Sequence, residues 1–127
     1  MELTMADQKI RNAHELPPAC QSGWRYHHMG IPTNESRPNE EYIPHLKMYV
    51  SGFETSPYGI EWMRFESDCP ISPIIQTIPH VAFEVDNLEK ATEGKTLIGE
   101  ISSPSKGIRV AMFLDNDVPV EVLEFEK

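Results

Sequence analysis

Residues 60–66, Ile-Glu-Trp-Met-Arg-Phe-Glu, and residues 120–126, Val-Glu-Val-Leu-Glu-Phe-Glu, repeat one pattern 60 positions apart. The pattern is aliphatic, Glu, bulky apolar, sulfur or aliphatic, charged, Phe, Glu. Side chains alternate between the two faces of a strand. Glu61, Met63 and Phe65 therefore share one face, as do Glu121, Leu123 and Phe125. A carboxylate on an apolar strand face costs several kcal/mol to bury without a partner. A chain that places one there twice must fold so that both carboxylates meet something that offsets the cost.

The strands that open each half supply a partner. His28-Met29-Gly30-Ile31-Pro32 precedes His80-Val81-Ala82-Phe83-Glu84 by 52 residues. By alternation His28 and Gly30 face one way, and Met29 and Ile31 the other. His80 and Ala82 likewise oppose Val81, Phe83 and Val85. The bulky set can pack under a helix, and the small residue leaves room beside each imidazole. Two His and two Glu converging on one point are satisfied by a divalent cation, whose charge keeps the carboxylates ionised. The candidate ligands are thus His28, Glu61, His80 and Glu121. His27 is the rival to His28, but alternation turns it toward the layer of Met29 and gives it a structural role. His14 and His45 have no repeat partner and read as surface residues. A second alignment lays Ser56-Pro57-Tyr58-Gly59-Ile60 on Ser103-Pro104-Ser105-Lys106-Gly107-Ile108. It sets Glu61 against Arg109 and leaves three ligands, His28, His80 and Glu121. The first alignment is preferred because it pairs Glu with Glu and Phe with Phe.

The rest of the chain is organised around these strands. Residues 1–23 read as a leader with a weak helix and an irregular stretch at Pro17-Pro18. Residues 24–66 form a first module: strands at 24–32, 45–53 and 59–66, with a turn-rich and then briefly helical segment at 33–43. Residues 67–79 hold three prolines and read as a linker. Residues 80–127 form a second module with strands at 80–85, 95–101, 107–115 and 118–126. Its helix lies at 86–94, with Asp86 as N-cap, Glu89 completing a capping box and Gly94 at the C-terminal stop. The second module runs β-α-β-β-β; the first follows the same plan, one strand short or compressed. The fold class expected is α+β, two βαβββ modules forming one curled mixed sheet around a metal cup.

Bulk properties narrow the function. A length of 127 residues suits one compact domain. The net charge of −9 disfavours nucleic acid and anionic membrane surfaces, both of which need clustered Lys and Arg. No apolar run reaches transmembrane length, and residues 1–20 lack the apolar core of a secretory signal. Cys20 and Cys69 are too few and too scattered for a disulfide framework or a Cys-based zinc site. A cytoplasmic location is expected.

At these residues the chain resembles the vicinal-oxygen-chelate superfamily, which has the glyoxalase and bleomycin-resistance fold. The resemblance rests on His27-His28-Met29-Gly30-Ile31-Pro32, the strand at 60–66 with the following Ser-Pro-Ile, His80 through Ala91, and residues 107–125. The stretch Glu66–Gln76 is similar to methylmalonyl-CoA epimerases. The resemblance implies paired βαβββ modules curling around a metal, with ligands at His28, Glu61, His80 and Glu121. It further implies chelation of neighbouring substrate oxygens. The first module departs from the pattern: 33 residues separate His28 from Glu61, against 41 between His80 and Glu121.

Two imidazoles and two carboxylates suit Zn, Ni, Co, Mn or Fe. Such an ion polarises a carbonyl and eases removal of the neighbouring proton by a base within reach. Glu61 or Glu121 can serve as that catalytic base, and Glu84 is an alternative. The expected activity is a glyoxalase-type lyase, or an isomerase or epimerase, acting on a small molecule. Met63, Phe65, Leu123 and Phe125 are expected to line its pocket. The alternatives are an extradiol-type Fe(II) dioxygenase and a non-catalytic drug-binding protein of the same fold. Exposed strand edges point to a homodimer.

Overall fold

The computed structural model describes residues 12–127. The elements, in order, are α1 (Pro18–Gln21), β1 (Arg25–Pro32), β2 (Glu41–Ile43), β3 (Met48–Ser51), β4 (Ile60–Phe65), β5 (His80–Glu84), α2 (Leu88–Ala91), β6 (Ile108–Asp115) and β7 (Val118–Phe125). The part of the expected leader helix that falls in residues 1–11 lies outside the described residues. All seven strands join one mixed sheet, ordered β2-β3-β4-β1-β5-β7-β6. This is a curled α+β sheet with few helices, the fold class the duplicated strands imply.

The sheet repeats itself about its middle. β1 and β5 are antiparallel neighbours at the centre. Each has a parallel partner on its other side, β4 beside β1 and β7 beside β5. Next outward, β3 pairs antiparallel with β4 and β6 with β7. The two strands of the opening pattern, 60–66 and 120–126, thus become β4 and β7 at equivalent places.

Two expectations about the modules need correction. The first half is not short of a strand, because Glu41–Ile43 forms β2 against β3. What it lacks is a helix: residues 33–40 run as turns and bends. Asn34, Ser36, Pro38 and Asn39 favour turns over a helix interior. The segment nonetheless packs against β4. Arg37 lies over the Trp62 ring at 4.2 Å, and Glu40 accepts two hydrogen bonds from Arg64, of 2.7 and 2.9 Å. In the second half, residues 95–101 form no continuous strand. An isolated bridge from Leu97 to Phe113 attaches that segment to β6, and a second, from Ser102 to Val110, follows just past it.

The helix at 86–94 is present but one turn long. Its N-cap is Asn87, not Asp86: the Asn87 side chain accepts a 2.8 Å bond from Lys90 N–H. Asp86 instead accepts from Arg25. The N–H of Leu88 donates to Glu124 Oε1 on β7, tying helix to sheet. Beneath it lies the core, made of Val85, Leu88, Ala91, Ala111, Phe113 and Val122, with Trp24, Leu97 and Val120 packed against it. This core occupies the outer face, so the inner face is free to form a cup. No helix among the described residues is long and apolar enough to cross a membrane.

Candidate metal centre

The inner face builds the site from cross-strand neighbours. On the antiparallel pair β1–β5, His28 stands opposite Ala82 and His80 opposite Gly30. Opposed residues project to the same side, so each imidazole occupies the space left by the small residue of the other half. The fit is tight at Gly30: a Cβ there would lie 2.1 Å from His80 Cε1. On the parallel pairs, Gly30 aligns with Glu61 and Ala82 with Glu121. The two halves therefore present Glu from the same register, the arrangement of the preferred alignment. Arg109, which the second alignment set against Glu61, is held on β6 by Glu89 and Glu124.

The four side chains meet. His80 Nε2 is 3.1 Å from Glu121 Oε1, and His28 Nε2 is 3.6 Å from Glu61 Oε1 and 3.9 Å from Glu121 Oε2. The imidazole centroids are 5.6 Å apart. His28, His80 and Glu121 each offer a ligand atom, all within 4.8 Å of one another. Glu61 lies beside this trio, not within it. His80 is 1 % exposed, yet neither of its ring nitrogens has a hydrogen-bond partner. Glu121 approaches to 3.1 Å but without hydrogen-bond geometry. Buried polar atoms are ordinarily paired. A cation bound between these groups satisfies the orphaned nitrogen and both carboxylates, and His₂-carboxylate donors suit a divalent transition metal. The residues present thus fit such an ion.

Electrostatics show what these groups do without one. Burial first, then the negative charge of Glu121, pushes the Glu61 carboxyl up to about 7; His80 opposes the shift and Glu41 adds to it. Burial pushes His28 down to about 4, against the pull of Glu121 and with the help of His80 and His27.

The cup around the site has a volume of about 1410 Å³. Met63, Phe65, Leu123 and Phe125 line it as expected, and Glu41 reaches its rim from β2. Glu84 is not in it: Arg25 on β1 takes up that carboxylate at 3.3 Å, which removes it as a base for the cup. His14 and His45 are exposed, as expected. His27 departs from expectation. The register of β1 against β5 shifts between Tyr26 and His28, a bulge that breaks the alternation. His27 therefore turns to the cup, with its Nδ1 2.8 Å from His28 Nδ1 and its ring stacked on Phe53 at 4.9 Å. Adjacent histidines were the one visible sign; nothing in the residues marks the bulge.

Two solved structures are similar to this arrangement. A hypothetical protein from Bacillus halodurans matches with a TM-score of 0.64 at 19 % identity, over 83 % of this chain and 96 % of that one. Methylmalonyl-CoA epimerase from Mycobacterium tuberculosis matches with a TM-score of 0.51 at 15 % identity, over 90 % and 95 %. These likenesses show a shared fold. No protein-family model matches the chain, and neither does any curated protein.

Proposed function

We propose that the protein is a metal-dependent enzyme of the vicinal-oxygen-chelate type. It moves a proton on the carbon next to a carbonyl of a small molecule, as an isomerase, epimerase or glyoxalase-type lyase does. The observation that carries this reading is the pair of buried imidazoles and two carboxylates, one set from each half, with His80 left unpartnered. His28, His80 and Glu121 would hold the ion, which can be Zn, Ni, Co, Mn or Fe. Such an ion supplies Lewis-acid polarisation of a carbonyl.

The remaining work falls to this chain's own groups. Glu61 stands beside the trio, its Oε1 3.6 Å from His28 Nε2, where a carboxylate can accept a proton. In an epimerase it would take the C–H proton onto a carboxylate oxygen, and a proton from solvent would be delivered to the other face of the same carbon. Glu121 is the second carboxylate in reach. Alternatively Glu61 would help His28 and His80 hold the ion, and Glu121 would be the carboxylate that accepts the proton. The wall of Met63, Phe65, Leu123 and Phe125 excludes water and suits an apolar substituent. The fold shared with an epimerase is consistent with this reading.

The deciding experiment is elemental analysis of protein purified without chelator, for the wild type, His80→Ala and Glu61→Gln. It is paired with NMR detection of solvent deuterium entering small carbonyl compounds. The expected outcome is stoichiometric metal in the wild type, loss in H80A, and retained metal with lost deuterium exchange in E61Q. Loss of metal in E61Q assigns Glu61 as ligand. Absence of metal from the wild type overturns the proposal.

The close grouping of two His and one carboxylate supports a second reading, an extradiol-type Fe(II) dioxygenase. Oxygen uptake with a catechol by the iron-loaded protein separates it from the first. A homodimer in the cytoplasm completes the proposal. β2 is an outermost strand of the sheet, and β6 carries only two isolated bridges on its outer side; both cysteines are free thiols. Sedimentation at micromolar concentration tests the dimer.

A further inference from the structure

We infer that His27 is a positioning residue that fixes which ring nitrogen of His28 carries the proton; this rests on the metal reading of the site given above. The observation is geometric. The bulge in β1 brings two consecutive imidazoles to the same face, Nδ1 to Nδ1 at 2.8 Å, with the rings at 77°. Two neutral imidazoles at that distance share one hydrogen, so one must donate and the other accept. His28 Nε2 faces Glu61 and Glu121. A nitrogen that binds a cation must be free of its proton, so with the ion bound the His28 hydrogen is on Nδ1, and His27 is inferred to hold it there before the ion arrives. His28 Nδ1–H then donates to His27 Nδ1, and His27 carries its own hydrogen on Nε2.

His27 is itself held in place. Its ring stacks on Phe53 with 14° between planes and leans on Phe125 at 5.5 Å. Metal-binding imidazoles generally need an outer partner on the second nitrogen to set tautomer and orientation. Here that partner is a second imidazole, supplied by a one-residue irregularity in the strand. The other half offers no such partner. The residue that precedes His80 is Pro79, whose side chain neither donates nor accepts, and His80 Nδ1 is unpartnered. The two halves, matched in their inward-facing residues, thus differ in how their imidazoles are supported. One ligand is oriented by a hydrogen bond and the other by the tight seat against Gly30.

The test uses ¹⁵N-labelled full-length protein and long-range ¹H–¹⁵N spectra of the His rings, without metal and with Zn²⁺. In the metal-free wild type, His28 is expected to show a protonated Nδ1 and a bare Nε2. His27→Phe keeps an aromatic ring on Phe53 but removes the acceptor. It is expected to give mixed His28 tautomers and Zn²⁺ affinity ~10- to 100-fold weaker by chelator competition. His27→Asn places a carbonyl oxygen near the position of Nδ1 and is expected to restore both. Melting temperatures of all three report the fold separately. A proton on His28 Nε2 in the metal-free wild type overturns the inference, even if H27F does not fold. So does an H27F variant with unchanged tautomer and unchanged affinity. If the wild type takes up no Zn²⁺, the metal reading fails, and the metal-free tautomer still decides the role of His27.

Discussion

At the scale of single residues, the site depends on close approach across β1 and β5. Gly30 is the narrowest point, since any Cβ there meets the His80 ring. The ring is buried, so it can yield only by leaving its seat. Gly30→Ala is therefore expected to cost about 1–3 kcal/mol by overpacking and to displace His80 from the metal position. Urea denaturation and metal stoichiometry measure the two effects, and an unchanged metal content with normal stability would contradict this account. The importance of Gly30 was legible in the sequence, because alternation places it on the face of His28 and the repeat supplies Ala82 at the same offset. The side of His27 was not legible. Period-two reasoning holds only while the ladder is unbroken, and one inserted residue reverses the assignment of everything before it.

At the scale of elements, the outer face decides stability and the inner face decides chemistry. Leu88 is the largest fully buried side chain and belongs to the core between α2 and the sheet. Leu88→Ala is expected to destabilise by about 2–5 kcal/mol, while leaving metal content unchanged because the site lies on the opposite face. Calorimetry and elemental analysis on the same sample check both halves of that statement. The first half has no such helix, and the segment 33–40 is fastened to β4 through Arg37 and Glu40. Glu40 is held at about 2 chiefly by its hydrogen bonds from Arg64, with burial opposing and Ser36 assisting. A carboxyl depressed in the folded state adds stability above its ordinary value of 4.5. That contribution fades as the pH falls from there toward 2. Glu40→Gln should flatten the acid limb of the melting-temperature profile in that window and leave the profile near neutrality parallel to wild type. An unaltered acid limb would mean that the fork does not tie the segment down. The strands were legible because each carries period-two alternation and the closing pair is duplicated. The short helix expected near Pro38 was not formed, since one turn gains too little against residues that favour turns. The stretch 95–101 alternates too weakly to hold more than one bridge on an edge.

At the scale of the whole molecule, the ionisable groups at the centre of the sheet couple folding to metal and to pH. In the metal-free protein Glu61 titrates near 7. A carboxyl raised in the folded state contributes stability that is complete below its unfolded value of 4.5 and is lost as the pH rises through 7. His28, lowered to about 4, acts in the other direction: the folded state resists its protonation, so stability falls as the pH drops from 6.5 toward 4. The two effects oppose each other between 4.5 and 6.5. Above 6.5 only the Glu61 penalty remains, and the metal-free protein weakens toward pH 8. A cation reverses this, because it holds the carboxylates charged and competes with protons for the imidazoles. Zn²⁺ at a hundredfold excess over its dissociation constant adds about 2.7 kcal/mol. As pH falls, protons compete at the ligands and that constant weakens. The rise in melting temperature on adding a fixed concentration of Zn²⁺ is therefore expected to be small at pH 5.5 and larger at pH 8. Chelator should reverse it, and His80→Ala should abolish it. A Zn²⁺ response that is flat across this range, or that survives in H80A, would place the ion elsewhere. The acidic cluster at the centre of the sheet would then need a different explanation.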